Sequence, residues 1–288
     1  MVGNELYFGK SIEIEKIRSI QLDLAEEVKR ICNKYDIKYF IIWGTLLGAV
    51  RNKGFIPWDD DFDLALFRED YEKFISVAKD ELTAPFFLQT ALSDELFFLP
   101  YARLRNSNTT GIIVDNYSPD YNNGIFIDIY PLDAIPTNTK LRNIKYEARD
   151  LLCTICNNYN YIKKGGKSPL FEKIVVNLLS YKSICGLFFK ICQIGNKKDN
   201  SIVGLAYHKR LSKTYKFNSQ DAFETVEIEF ENRLFSAPKE YQTLLNEVYG
   251  DYMKLPPKRK RGRWHEGQII YDPNISYKEY MNYKNEKI

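Results

Sequence analysis

At 288 residues and 44% hydrophobic composition, the chain is long enough to bury one substantial core with room for an inserted subdomain. A net charge of +3 gives no compositional case for nucleic acid. The first ten residues lack the apolar core of a signal peptide, and no uninterrupted apolar run is long enough to cross a bilayer, so a cytoplasmic protein is expected.

The periodicity predicts a scaffold helix over Ser11 to Tyr35, with Ile17, Ile20, Leu24, Val28, Ile31 and Tyr35 on one face. Lys38 to Trp43 is β-branched and aromatic and reads as a strand. Gly44-Thr45 ends it, and a short helix can begin at Leu46. A glycine at such a turn lets backbone N–H groups approach a phosphate closely. Arg51 either offers a planar fork to a diphosphate or is a solvated helix-end arginine; its neighbours favour the fork. Gly54 and Pro57 then turn the chain, and Trp58 is either a lid over the neighbouring carboxylates or core.

Asp61-Phe-Asp-Leu-Ala-Leu66 alternates as a strand, which puts Asp61 and Asp63 on one face. Two carboxylates so placed repel, and a divalent cation between them relieves the repulsion. The alternative is an acidic turn before an ordinary half-solvated strand, disfavoured because the rest of the segment is apolar. A helix over Glu69 to Leu82 and strands over Phe97 to Leu104 and Thr110 to Val114 come next. The polar residues Arg103, Arg105, Asn106 and Thr109 there are either phosphate ligands or a water-exposed hairpin. Gly124 to Leu132 is apolar enough for a central strand, and its single charge, Asp128, needs a cation partner if buried.

Residues 138–222 change character to helical, with lysine and asparagine interleaved. Leu170 to Ile194 is the most apolar part of the chain, interrupted by Lys173, Lys182 and Lys190. A core helix pair is the favoured reading, and an amphipathic helix on a membrane surface is the second. Five cysteines are expected as thiols. Cys153 and Cys156 with Cys185 and Cys192 have zinc-type spacing, but sit in apolar runs where cysteine acts as a small hydrophobe. Thr225 to Phe235 reads as a strand pair or a bent strand, and Pro238 opens a helix that Gly250 closes after Tyr249. A basic cluster from Lys258 to Arg263 precedes His265, one of two histidines.

A Gly-Thr turn after a first strand, then Asp61-x-Asp63, then an isolated strand aspartate is the ordered layout of the nucleotidyltransferase fold. The expected class is therefore α+β: a mixed sheet core with flanking helices and a mainly helical insert. The core would span residues 1–137 and the insert 138–222, with 223–288 completing the catalytic unit. The stretch GTLLGAVRNKGFIPWDDDFDLAL with Arg68 to Phe74 resembles the signature of the LicD family. The likeness continues through Arg103 to Thr110 and FIDIYPLD, and returns at Tyr249 to Pro257. It leaves the middle, about 137–225, unsupported.

The resemblance implies a phosphotransferase that moves a phosphocholine-like group from a CDP-linked alcohol to a sugar hydroxyl of a surface glycan, such as lipopolysaccharide or teichoic acid, or its lipid-linked precursor. Asp61, Asp63 and Asp128 would hold Mg²⁺ or Mn²⁺, with Asp128 sharing a metal or taking the hydroxyl proton. Gly44, Thr45 and Arg51 would position the phosphates, joined by Arg105 because it lies in the family-like stretch. His265 matches a histidine that family members tend to carry after the proline pair. A lipid-linked acceptor would bring the protein to the inner face of the membrane. The alternatives are a nucleotidyltransferase that moves NMP from an NTP, or a non-catalytic glycan- or nucleotide-binding relative. Retention of all three carboxylates speaks against the last.

Overall fold

A computed structural model describes residues 11–94, 97–195, 201–207, 216–219, 224–258, 261 and 268–280. Its centre is a mixed sheet in the order β1-β2-β6-β4-β3. These strands are β1 (Phe40–Ile41), β2 (Asp63–Phe67), β3 (Phe86–Gln89), β4 (Ala102–Asn106) and β6 (Ile125–Ala134). The pair β2–β6 is parallel, and every other pairing along this path is antiparallel. With helices on its flanks the protein is α+β, as its sequence pattern predicts.

The apolar run of β6 makes it central, between β2 and β4. Helix α1 (Ser11–Lys34) buries Leu24, Val28 and Ile31 against the sheet. From its buried face Arg18 donates to the carbonyls of Ile56 and Asp59 at 2.9 and 2.8 Å, and Gln21 donates to that of Asp60 at 2.9 Å. The scaffold helix thus fixes the acidic turn by its backbone.

Two elements differ from expectation at the motif itself. Helix α2 (Trp43–Asn52) starts at Trp43, with φ 50°, so the first strand is only two residues long. Asp61 lies ahead of β2, which starts at Asp63. Helix α3 (Arg68–Glu81) matches its expected span, whereas β3 was unforeseen and 97–101 is not strand.

Thr225 to Phe235 forms an antiparallel hairpin of β9 (Thr225–Phe230) and β10 (Arg233–Pro238). Its two turn residues, Glu231 and Asn232, both have positive φ, the geometry that suits a tight hairpin. Pro238 ends this hairpin instead of opening a helix; the next helix, α7, runs from Tyr241 to Tyr249 and Gly250 caps it at φ 67°. Phe230 and Phe235 meet Phe62 edge-on at 5.3 Å, and Phe62 is fully buried. A Phe62→Ala change would cost about 3–5 kcal/mol.

The helical segment comprises α4 (Thr139–Lys163), α5 (Leu170–Leu178) and α6 (Tyr181–Cys192). Cys156, Cys185 and Cys192 are buried in its packing, with the first two sulfurs 3.7 Å apart and all five cysteines free. The segment returns to the sheet through β7 (Ile202–Gly204), which pairs with the end of β6 and then with β8 (Lys216–Asn218). Buried cations secure the junction. Lys145 donates to the carbonyls of Ala134 and Ile194, Arg149 to that of Ala206, and Arg68 grips Asp133 with two hydrogen bonds. The remaining described strands, β5 (Thr110–Ile113) and β11 (Ile269–Asp272), pair with each other.

Candidate active site

The parallel register of β2 and β6 sets Asp63 directly beside Asp128. Both ends of the Asp63 peptide are clamped: its N–H donates to Thr45 Oγ1 at 2.9 Å, and its carbonyl accepts from Ile42 N–H at 3.2 Å. Burial raises the Asp63 carboxyl well above its ordinary pKa, and the charges of Asp61, Asp128 and Asp59 add to the rise. An added positive charge would relieve this.

Arg103 supplies part of it. Paired with Asp128 across β4 and β6, it donates from Nε to Asp128 Oδ1 at 2.6 Å and stacks over Phe126 at 4.1 Å. Burial pulls the guanidinium pKa down, but the Asp128 charge outweighs that and holds it above normal. Tyr130 donates to the other Asp128 oxygen at 3.1 Å.

Beside these groups lies a cavity of about 470 Å³. Asp59, Asp61 and Asp63 form one edge, Trp43, Tyr130 and Tyr207 an aromatic wall, and Arg51 and Lys254 contribute cations. Trp43 meets Tyr130 edge-on at 4.7 Å, and Tyr207 lies parallel to Tyr130 at 6.4 Å. A tryptophan at φ 50° is a strained backbone position, and here it orients one face of this wall. Gly44 also lines the cavity; a Cβ there would come within 2.6 Å of Asp59 Oδ2, so a side chain at this position would displace the Asp59 carboxylate. A second cavity, about 210 Å³, shares Asp61 and is bordered by Asp128, Arg103 and Tyr271.

The structure therefore brings Gly44, Arg51, Asp61 and Asp63 around one cavity and Asp128 beside the adjoining one. Thr45 lines neither, its hydroxyl being used by the Asp63 amide. Arg105 corrects expectation: it is buried two residues further along β4 and is held by Gln89 Oε1 at 2.5 Å and the Gly124 carbonyl at 2.6 Å. It pins the 111–124 region instead of facing either cavity. His265 lies outside the described residues. Lys254, Tyr249 and Tyr252 also line the larger cavity, in the Tyr249 to Pro257 stretch whose family likeness was the available signal. Leu205 and Tyr207 come from the segment after the helices, where no sequence signal pointed.

Among the described residues, no three acidic, histidine or cysteine side chains converge as a ready metal cage. The donor set still fits a hard cation. Mg²⁺ commonly takes one or two carboxylates and completes its shell with water and substrate phosphate, and Asp63 is buried in a field of negative charge.

A family model described as LicD/FKTN/FKRP, nucleotidyltransferase domain, matches residues 36–151, the span that carries all three carboxylates. The chain is 28% identical over 269 residues to the lipopolysaccharide cholinephosphotransferase LicD of Haemophilus influenzae. That match covers 89% of this chain and 97% of the relative, so it takes in most of the middle segment that the motifs alone left unsupported. A shorter match, 42% over 62 residues, links it to an uncharacterized protein of Rickettsia typhi, covering 21% of this chain and 20% of that protein. The family model is thus seated on the strands that carry the carboxylates, and the similarity to the Haemophilus LicD protein runs along nearly the whole length of the chain.

Proposed function

We propose that the protein transfers a phosphocholine-like group from a CDP-linked alcohol, CDP-choline in the first instance, to a sugar hydroxyl of a surface glycan such as lipopolysaccharide, releasing CMP. The observation that carries this reading is the joining of a carboxylate edge to an aromatic wall in one cavity. A diphosphate with a quaternary ammonium end needs both, because tyrosine and tryptophan faces attract such a cation. The name of the Haemophilus relative supports the same chemistry.

Asp61 and Asp63 would hold Mg²⁺ or Mn²⁺. When bound, the ion supplies positive charge to the diphosphate and eases departure of the nucleotide monophosphate. Arg51 and Lys254 line the larger cavity, where their cations can meet donor phosphates. Asp128, oriented by Arg103 and Tyr130, borders the smaller cavity and would accept the proton of an attacking sugar hydroxyl.

The test is Mg²⁺-dependent CMP release from a panel of CDP-alcohols with glycolipid acceptor present, against an Asp63→Asn control. CMP from CDP-choline that disappears in the variant is the expected result. Pyrophosphate from an NTP, with no CMP from any CDP-alcohol, would replace this reading with nucleotidyl transfer.

A further inference from the structure

Helix α5 is apolar on two sides. Val176 packs fully inward, while Leu170, Phe171, Ile174 and Leu178 fall within an arc of about 100° on the outside. Leu170 and Leu178 are 75% and 77% exposed. A contiguous stripe of this kind is a surface that water disfavours.

Along residues 153–192, the stretch that carries it, the exposed charge has one sign. From Cys153 to Cys192 the chain has lysines at 163, 164, 167, 173, 182 and 190 and a single acid, Glu172, which is buried. No exposed carboxylate in this stretch would repel an anionic partner. The stripe and the lysines together match the chemistry of an anionic lipid surface, where apolar side chains enter the headgroup boundary and lysines stay at phosphate level.

Geometry favours a surface position over a crossing. By length and composition α5 and α6 together could span a bilayer, but they meet at 109°, and Ile184, Cys185, Phe188 and Cys192 of α6 are fully buried in the protein. The inner side of the same helices belongs to the hydrophobic cluster that includes Leu205 and Tyr207 of the larger cavity. A surface bound through α5 would therefore lie behind the aromatic wall.

We propose that the outer face of α5 docks the protein on anionic lipid bilayers, with the helix lying in the plane of the headgroups. The proposal is independent of the transfer reaction, since binding is read without turnover.

The full chain is sedimented with phosphatidylcholine vesicles and with vesicles that also contain phosphatidylglycerol. The expected result is recovery with the anionic vesicles, reduced by salt. Phe171→Ser/Leu178→Ser and Lys164→Glu/Lys167→Glu/Lys182→Glu should each weaken it by roughly tenfold or more, with the thermal transition unchanged. Should the serine variant fail to fold, the lysine variant, altered only at exposed positions, decides the matter. Equal absence from both vesicle pellets would overturn the proposal, as would binding by the lysine variant at wild-type strength. A concentration-dependent dimer that the serine variant dissolves, with no vesicle binding, would assign the face to a second copy of the chain.

Discussion

Arg103 and Asp128 face each other across adjacent antiparallel strands, and the 2.6 Å hydrogen bond from Arg103 Nε makes the carboxylate beside Asp63 one half of a part-buried ion pair. Removing Asp128's partner leaves a charge only partly open to water, and removing Arg103's leaves a buried guanidinium, so either change costs up to about 3 kcal/mol, the lower end of the range for a fully buried pair. Arg103→Met should show a loss of that size in urea unfolding, and Arg103→Met/Asp128→Asn a clearly smaller one. Equal losses in both would mean that the two residues do not depend on each other.

Asp63 sits where burial and three neighbouring aspartates oppose its charge. Asp63→Asn should therefore gain about 1 kcal/mol of stability while turnover falls by roughly a hundredfold or more. Differential scanning calorimetry with and without Mg²⁺ gives a readout separate from activity. The wild type should melt higher with the ion, and the variant should respond little.

How far was this site legible in the chain? The aspartates were, because charges inside otherwise apolar segments need a stated reason wherever they occur. Their partner was not. Arg103 and Arg105 are two residues apart on one strand and share a face, so their sequence pattern is the same. Only the register with β6 sets one against Asp128 and the other against Phe126. Tyr130 was hidden for a similar reason, since it reads as one more apolar strand position. Helix α1 was plain from its spacing, but its hold on the 56–60 backbone is a tertiary contact that no local pattern encodes.

Lys145 gives a pH-dependent prediction. Burial lowers its pKa to about 8, although the Asp133 charge works in the opposite direction. Below pH 8 the folded protein bears the cost of a buried ammonium. Between pH 8 and the ordinary lysine value of about 10.4, the unfolded chain binds more protons, so this residue's contribution to stability rises with pH. The advantage of the wild type over Lys145→Met should grow from pH 7 to pH 10, by roughly 3 kcal/mol at most. Urea titrations of both proteins at the two pH values provide the check, and an advantage that shrinks with pH would contradict it.

The aromatic wall predicts selectivity for the donor. Tyr207→Leu removes one face, whereas Tyr207→Phe keeps it. Cation–π attraction of about 0.5–2 kcal/mol implies that the leucine variant raises KM for CDP-choline by roughly 3- to 30-fold. KM for an uncharged CDP-alcohol should change little, and the phenylalanine variant should match the wild type with both donors. A parallel rise for charged and uncharged donors would mean that Tyr207 contributes shape alone.

Tyr207 arrives just after β7, which closes the helical segment onto the end of β6. Trp43 and Tyr130 share their length of chain with the carboxylates, whereas Tyr207, the third face of the wall, reaches them from beyond the helical segment. A lineage could exchange the segment from the end of β6 through Tyr207 and acquire a different preference for the cargo it moves, while inheriting the carboxylate-bearing strands intact. A chimera that replaces residues 135–207 would copy that route in the laboratory.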